Sequence, residues 1–202
     1  MRCYKMFNKK NTNEFEKSCC FTGYRPEKFG FQFSESDERY RILVRRLYTA
    51  IADMLEKGCT VFYTGMAMGF DILAAEHVVT LRLARKDLKL IAVVPFKGQE
   101  SGWPKEWQDR YRKIIKECDE VITLSDSYHK WVYSNRNRYM VDRSRFVVTY
   151  FDGKDGGTKS TVQYAVKNGR ELLNIYETDP VGEQNARYKA QLILIPPEDE
   201  NI

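Results

Sequence analysis

Short apolar runs alternate with segments of helical period along most of this chain, and that alternation leaves few architectures open. The run SCCFTGYRP, at 18–26, suits a buried strand and a turn at Gly23 and Pro26. From Ser36 the period changes. Tyr40, Leu43, Val44, Leu47, Ile51, Met54 and Leu55 recur at three- and four-residue spacing, which predicts a helix closed by Gly58. Residues 60–64 predict a strand, Ile72, Ala75, Val79 and Leu83 a helix, and 90–96 a strand covered on both faces, because its apolar run is unbroken. The series continues with a helix at 107–117, a strand at 121–124, a short helix at 136–143, a strand at 146–151, a helix at 161–169 and a strand at 172–176. Strands separated by helices imply right-handed crossovers. The expected fold is α/β, a three-layer Rossmann-like sandwich with a mainly parallel sheet, in one domain over 18–178. Residues 1–17 are polar and lysine-rich and read as a flexible arm, while 188–195 in the tail (179–202) alternate weakly enough to suit an edge strand.

Composition narrows the class of function. Thirteen Tyr, eleven Phe and three Trp need burial, which excludes disorder as the dominant state. No apolar run approaches the ~20 residues that span a bilayer, and the first residues are too polar for a secretion signal. Five cysteines, an odd set without a CxxC pair, suggest reduced thiols and a cytoplasmic location rather than a disulfide framework or a zinc site. The formal charge of +5 permits an anionic ligand, but 28 acidic residues nearly balance 33 basic ones. Nucleic acid is therefore not an expected partner.

In such sheets ligands bind where strands lead into helices at their carboxyl ends. Three loops stand out there. In Thr22-Gly23-Tyr24-Arg25-Pro26, glycine lets backbone approach a ligand and the arginine fork suits phosphate; the plainer reading is a tight turn. In Thr64-Gly65-Met66-Ala67-Met68-Gly69-Phe70-Asp71, two glycines precede a helix N-terminus, where free N–H groups and the helix dipole favour an anion. Asp71 is placed to cap that helix or to accept a ribose hydroxyl. On this reading, a bulky residue at Gly65 abolishes binding and leaves the fold intact. In 152–161, Gly156 and Gly157 offer N–H groups, Thr158, Ser160 and Thr161 hydroxyls, and Lys159 a charge; a flexible, capped turn is the alternative. Elsewhere, Arg136 or Arg138 could reach a phosphate, or belong to a solvated helix face. The aromatic stretch 128–133 could stack a base, form a lid or make an oligomer contact. There is no dinucleotide fingerprint, Walker loop, catalytic triad or metal cluster.

Taken in order, CCFTGYRPEKFGF, TGMAMGFDILAAE, VVPF, NRNRYMVDRS and DGGTKSTVQYA resemble the YpsA-like branch of the SLOG superfamily, Rossmann-like proteins related to DprA and to the lonely-guy hydrolases. The resemblance implies a pocket for a nucleotide or nucleotide-derived ligand, ADP-ribose- or NAD-like, involving Gly23, Arg25, 65–71 and 156–158, with Pro95 and Phe96 of the VVPF motif beside them. The hydrolase members carry a glutamate soon after the glycine–threonine loop; here none follows until Glu171. N-glycosidic cleavage needs a carboxylate, and Asp71 or Asp142 are the available substitutes. A ligand-binding sensor or regulator is thus expected ahead of a phosphoribohydrolase acting on nucleoside monophosphates, and ahead of DprA-like single-stranded DNA binding. A homo-oligomer is compatible with all three.

Overall fold

The computed structural model describes residues 9–176. Its elements are α1 (Lys9–Glu16), β1 (Ser18–Thr22), α2 (Glu38–Glu56), β2 (Val61–Thr64), α3 (Phe70–Leu81), β3 (Lys89–Val94), α4 (Lys105–Glu117), β4 (Glu120–Thr123), α5 (Val132–Asp142), β5 (Phe146–Thr149), α6 (Gly157–Lys167) and β6 (Glu171–Asn174). All six strands are parallel, in the order β4-β3-β2-β1-β5-β6. The chain builds outward from β1 to β4, then returns to the other side of β1 with β5. That reversal opens a crevice between β1 and β5, the place where doubly wound sheets take ligands. The register there pairs Thr22 with Thr149, so both strands end level.

Alternation along the strands divides the core into two layers. Cys19, Phe21, Phe62, Leu90, Ala92 and Val148 face α2, α3 and α4. Cys20, Val61, Tyr63, Ile91, Val93 and Val147 face α5 and α6, through Met140, Val141 and Ala165. Phe21 and Phe62 stack across neighbouring strands at 5.9 Å. Helix α3 is apolar over most of its surface, and Phe70 through Ala75 are all buried, as befits a central helix. Burial pushes the Cys20 and Cys59 thiols up to about 12, so they pack as small apolar groups.

Three elements differ from expectation. Residues 9–16, read as part of a flexible arm, form α1. Its Glu14 accepts from the Tyr63 hydroxyl, its Glu16 from Arg145, and Arg170 lies over the Phe15 ring. Helix α5 begins at Val132 rather than 136, and α6 at Gly157 rather than 161. The edge strand anticipated at 188–195 lies outside the described residues. Among those described, no helix is long and apolar enough to cross a membrane.

Candidate functional site

A cleft of about 370 Å³ opens at the carboxyl ends of β1 and β5. Its walls come from the loop after β1, the start of α6, and one face of α5. The β1 loop is fixed by aromatic packing. Tyr24 meets Phe29 and Tyr150 edge-on at 6.1 and 6.0 Å, and its hydroxyl donates to Asp152. Between these anchors Arg25 holds φ −76° and ψ 159°, the extended conformation that Pro26 imposes on its predecessor. The Arg25 guanidinium sits 5.6 Å from the Tyr133 ring centre and makes no ion pair among the described residues. Lys28 lies near Gly156, whose Cβ position would be 3.1 Å from Lys28 Nζ.

The floor is a buried ion pair. Arg136 of α5 donates through Nη1 to Asp71 Oδ2 of α3 at 2.8 Å, with the two residues 6% and 4% exposed. The bond joins the two helical layers across the end of the sheet. Burial pushes the Asp71 carboxyl above its ordinary value, against the pull of the Arg136 guanidinium. Asp71 Oδ2 also accepts weakly from the Ala67 N–H at 3.5 Å. Arg136 Nε is buried and has no hydrogen-bond partner, although the residue lines the cleft.

At the opposite wall, α6 starts at Gly157 with no side-chain cap from Gly156. The first-turn N–H groups of such a helix have no intrahelical acceptor. The hydroxyls expected to contact a ligand each donate a hydrogen bond within the protein. Thr158 Oγ1 donates to the Gly23 carbonyl at 3.1 Å, Ser160 Oγ to Gly156 at 3.3 Å, and Thr161 Oγ1 to Gly157 at 2.8 Å.

Of the residues singled out in the sequence, Thr22, Gly23, Arg25, Ala67, Asp71, Arg136, Gly157 and Thr158 line this one cleft. Gly65, Met66, Gly69, Pro95, Phe96, Gly156 and Ser160 do not. Met66 is fully buried in the core, at φ +54°. Gly69 has φ +88°, and a Cβ there would lie 2.5 Å from the Tyr24 carbonyl. A Cβ on Gly65 would fall 1.3 Å from Arg136 Nη1 and 2.7 Å from Asp71 Oδ2. Gly65 therefore leaves room for the ion pair, and a bulky replacement cannot leave the fold untouched. Gly23 likewise admits Phe70, whose Cγ would be 2.4 Å from its Cβ. Phe96 packs edge-on against Tyr128 and Tyr133, and Ser160 lines a neighbouring groove. Asp71 is not the helix cap, which is Gly69. Asp142, at the far end of α5, accepts from the Tyr164 hydroxyl and stands outside the cleft.

Three lining residues were not singled out, Glu27, Lys28 and Asn137, whereas Tyr24 belongs to the first candidate loop and Tyr133 to the aromatic stretch offered for base stacking. Tyr133, Arg136 and Asn137 stand at i, i+3 and i+4, one face of α5, a spacing visible once the helix is begun at Val132. Glu27 is the exposed carboxylate of the cleft.

The YspA SLOG family model matches residues 19–189 of the chain. A UPF0398 protein of Brevibacillus brevis is 23% identical over 172 residues, which cover 81% of this chain and 91% of that protein. The SPbeta prophage-derived protein YoqJ of Bacillus subtilis is 28% identical over 129 residues, 57% of this chain and 75% of that protein. Among solved structures, DNA processing protein A from Streptococcus pneumoniae has the same fold, with a TM-score of 0.54 and 20% identity over 88% of this chain. The present chain spans about half of that protein, 56%. DNA processing protein A from Helicobacter pylori, described for its single-stranded DNA binding mode, has a TM-score of 0.51 and 20% identity over 91% of this chain and 78% of its own. The expectation that nucleic acid is an improbable partner is not supported. It rested on net charge, which averages over the whole surface and is blind to where cations gather. With the model match running across the sheet and both helical layers, the chain belongs to the YspA SLOG family.

Proposed function

We propose that the cleft binds the phosphate of a nucleotide or nucleotide-derived ligand, and that the protein acts as a ligand-binding sensor or regulator. The observation that carries this reading is Arg136. A guanidinium 6% exposed, with Nε unpartnered, lines the cleft beside the uncapped start of α6. A buried donor without a partner is costly, and a shift of the Arg136 side chain towards an anion in the cleft would give Nε one. Arg25 and Lys28 add charge at the mouth, partly offset by Glu27. A volume near 370 Å³ lies at the lower end of small-molecule sites, enough for one nucleotide unit, with the rest of a larger ligand lying outside it. Candidate ligands are nucleoside monophosphates, ADP-ribose and NAD.

Thermal unfolding with inorganic phosphate, AMP, ADP-ribose and NAD tests the reading. At a ligand concentration ~100 times Kd the stabilisation should be about 2.7 kcal/mol. No shift with any of them at millimolar concentration would retire it.

A further inference from the structure

Beside the anion cleft runs a second groove, of about 480 Å³, between α6 and the segment from Lys130 into α5. The two share Tyr133, Asn137 and Gly157 and so form one trough. Lys130, Arg138 and Lys167 line the groove, and no carboxylate does. Among the described residues none of these three cations has an ion-pair partner. Arg138 lies 5.4 Å from the Tyr164 ring centre and Lys130 4.9 Å from that of Trp131, an indole left 60% exposed.

Exposed aromatic rings interleaved with unpaired cations are the chemistry that holds a polynucleotide strand, through base stacking and phosphate neutralisation. The phosphate count separates the ligand classes. A mononucleotide or a pyrophosphate-linked dinucleotide places its one or two phosphates against Arg25, Arg136 and the start of α6. The three groove cations are then left without anions. A ligand with further phosphates uses both halves of the trough. A duplex keeps its bases stacked on one another, so only a single strand can lay one on Trp131. We propose that the groove continues the phosphate cleft, and that the joined trough takes a short single-stranded oligonucleotide, its backbone passing Lys130, Arg138 and Lys167. The proposal rests on the cleft being the anion site argued above.

The test is fluorescence anisotropy with labelled oligothymidylate of about ten nucleotides, a length typical of a single-strand site, run beside AMP and NAD titrations. The variants are Arg25→Ala, Trp131→Ala and the triple Lys130→Gln/Arg138→Gln/Lys167→Gln, whose three positions are exposed on the surface. The triple variant should lose roughly tenfold or more in oligonucleotide affinity, and its salt slope should fall by about two, as expected for three phosphate contacts on a single strand. Its AMP affinity should stay at the wild-type value. Trp131→Ala should remove the tryptophan quenching that the oligonucleotide causes, and Arg25→Ala should weaken both ligands. An oligonucleotide bound no tighter than AMP, or equally well by the triple variant, overturns the groove while leaving the cleft. Oligonucleotide binding that ignores Arg25 while AMP fails to bind overturns the cleft and the joined trough together. NAD bound as tightly as the oligonucleotide, and weakened by the triple variant, replaces the strand with a dinucleotide. Sedimentation in which the triple variant dissociates an oligomer without changing oligonucleotide affinity assigns the groove to a second copy of the chain.

Discussion

Gly65→Ala is a one-carbon change aimed at the floor of the cleft. The added Cβ would occupy space 1.3 Å from Arg136 Nη1 and 2.3 Å from Arg136 Cζ, far inside any contact distance. The guanidinium must leave, and it can do so because Arg136 borders the open cleft. Asp71 stays behind, 4% exposed, with only the long bond from the Ala67 N–H. Breaking a buried ion pair by removing one partner costs about 3–5 kcal/mol. Because Arg136 regains water, the lower end of that range, ~3 kcal/mol, is the expected loss. At roughly 2–4 °C per kcal/mol for a domain of this size, the melting temperature should fall by about 6–12 °C. A double-mutant cycle with Arg136→Met isolates the cause. Gly65→Ala should cost at least ~2 kcal/mol less in the Arg136→Met background, because the clash and the ion pair are already gone. Equal penalties in both backgrounds, or a melting temperature within about 2 °C of wild type, would refute the claim that Gly65 exists to house the pair.

Arg25→Ala should weaken phosphate-bearing ligands by roughly ten- to a hundredfold in calorimetric titration, the worth of a charge-assisted bond of about 1.5–3 kcal/mol. Arg25→Lys should recover part of the loss, since an ammonium lacks the bidentate fork; unchanged affinity in both would move the pocket elsewhere. Burial would raise the Asp152 carboxyl, but bonds from Lys154 and Tyr24 outweigh it and hold the group at about 2, below its usual 3.8. The stability it gives is therefore present above the ordinary carboxylate range and fades as pH falls from 3.8 towards 2. Asp152→Asn should destabilise in urea melts at pH 7 and have little effect near pH 2; equal losses at both would exclude this linkage. Incubation with nucleoside monophosphates should release no free base above a protein-free control. Steady release abolished by Glu27→Gln would give the cleft a catalytic carboxylate and displace the binding-only reading.

The layered α/β plan was legible because period-two and period-3.6 apolar patterns report burial locally, as the runs at 61–64 and 90–94 show. The location of the cleft was legible because strand ends in such sheets are where loops meet. What escaped notice depends on distant partners. Helix α6 opens with Gly157, a poor helix former, and its first turn is tied down by Thr158 reaching Gly23 and Asn137 reaching Thr161. The polar α1 gains its order from Tyr63, Arg145 and Arg170, residues 49 to about 155 positions away. Nothing in the run TGMAMGFD discloses that Gly65 faces an arginine 71 residues later rather than a ligand, because a glycine records that space is needed and not what fills it.

The division of labour between glycines and side chains in the cleft bears on how such a site can diversify. Gly23, Gly65 and Gly69 serve Phe70, the Asp71–Arg136 bond and the Tyr24 carbonyl, so they specify a socket and say little about its occupant. On the proposed reading, choice of occupant falls to Arg25, Glu27 and Lys28, which sit on the rim and can be exchanged without repacking the interior. Two proteins that share the glycines can thus accept different molecules, and a search guided by those glycines gathers sockets of one shape across several specificities. Reprogramming this one calls for changes at the rim, with the socket left as it is.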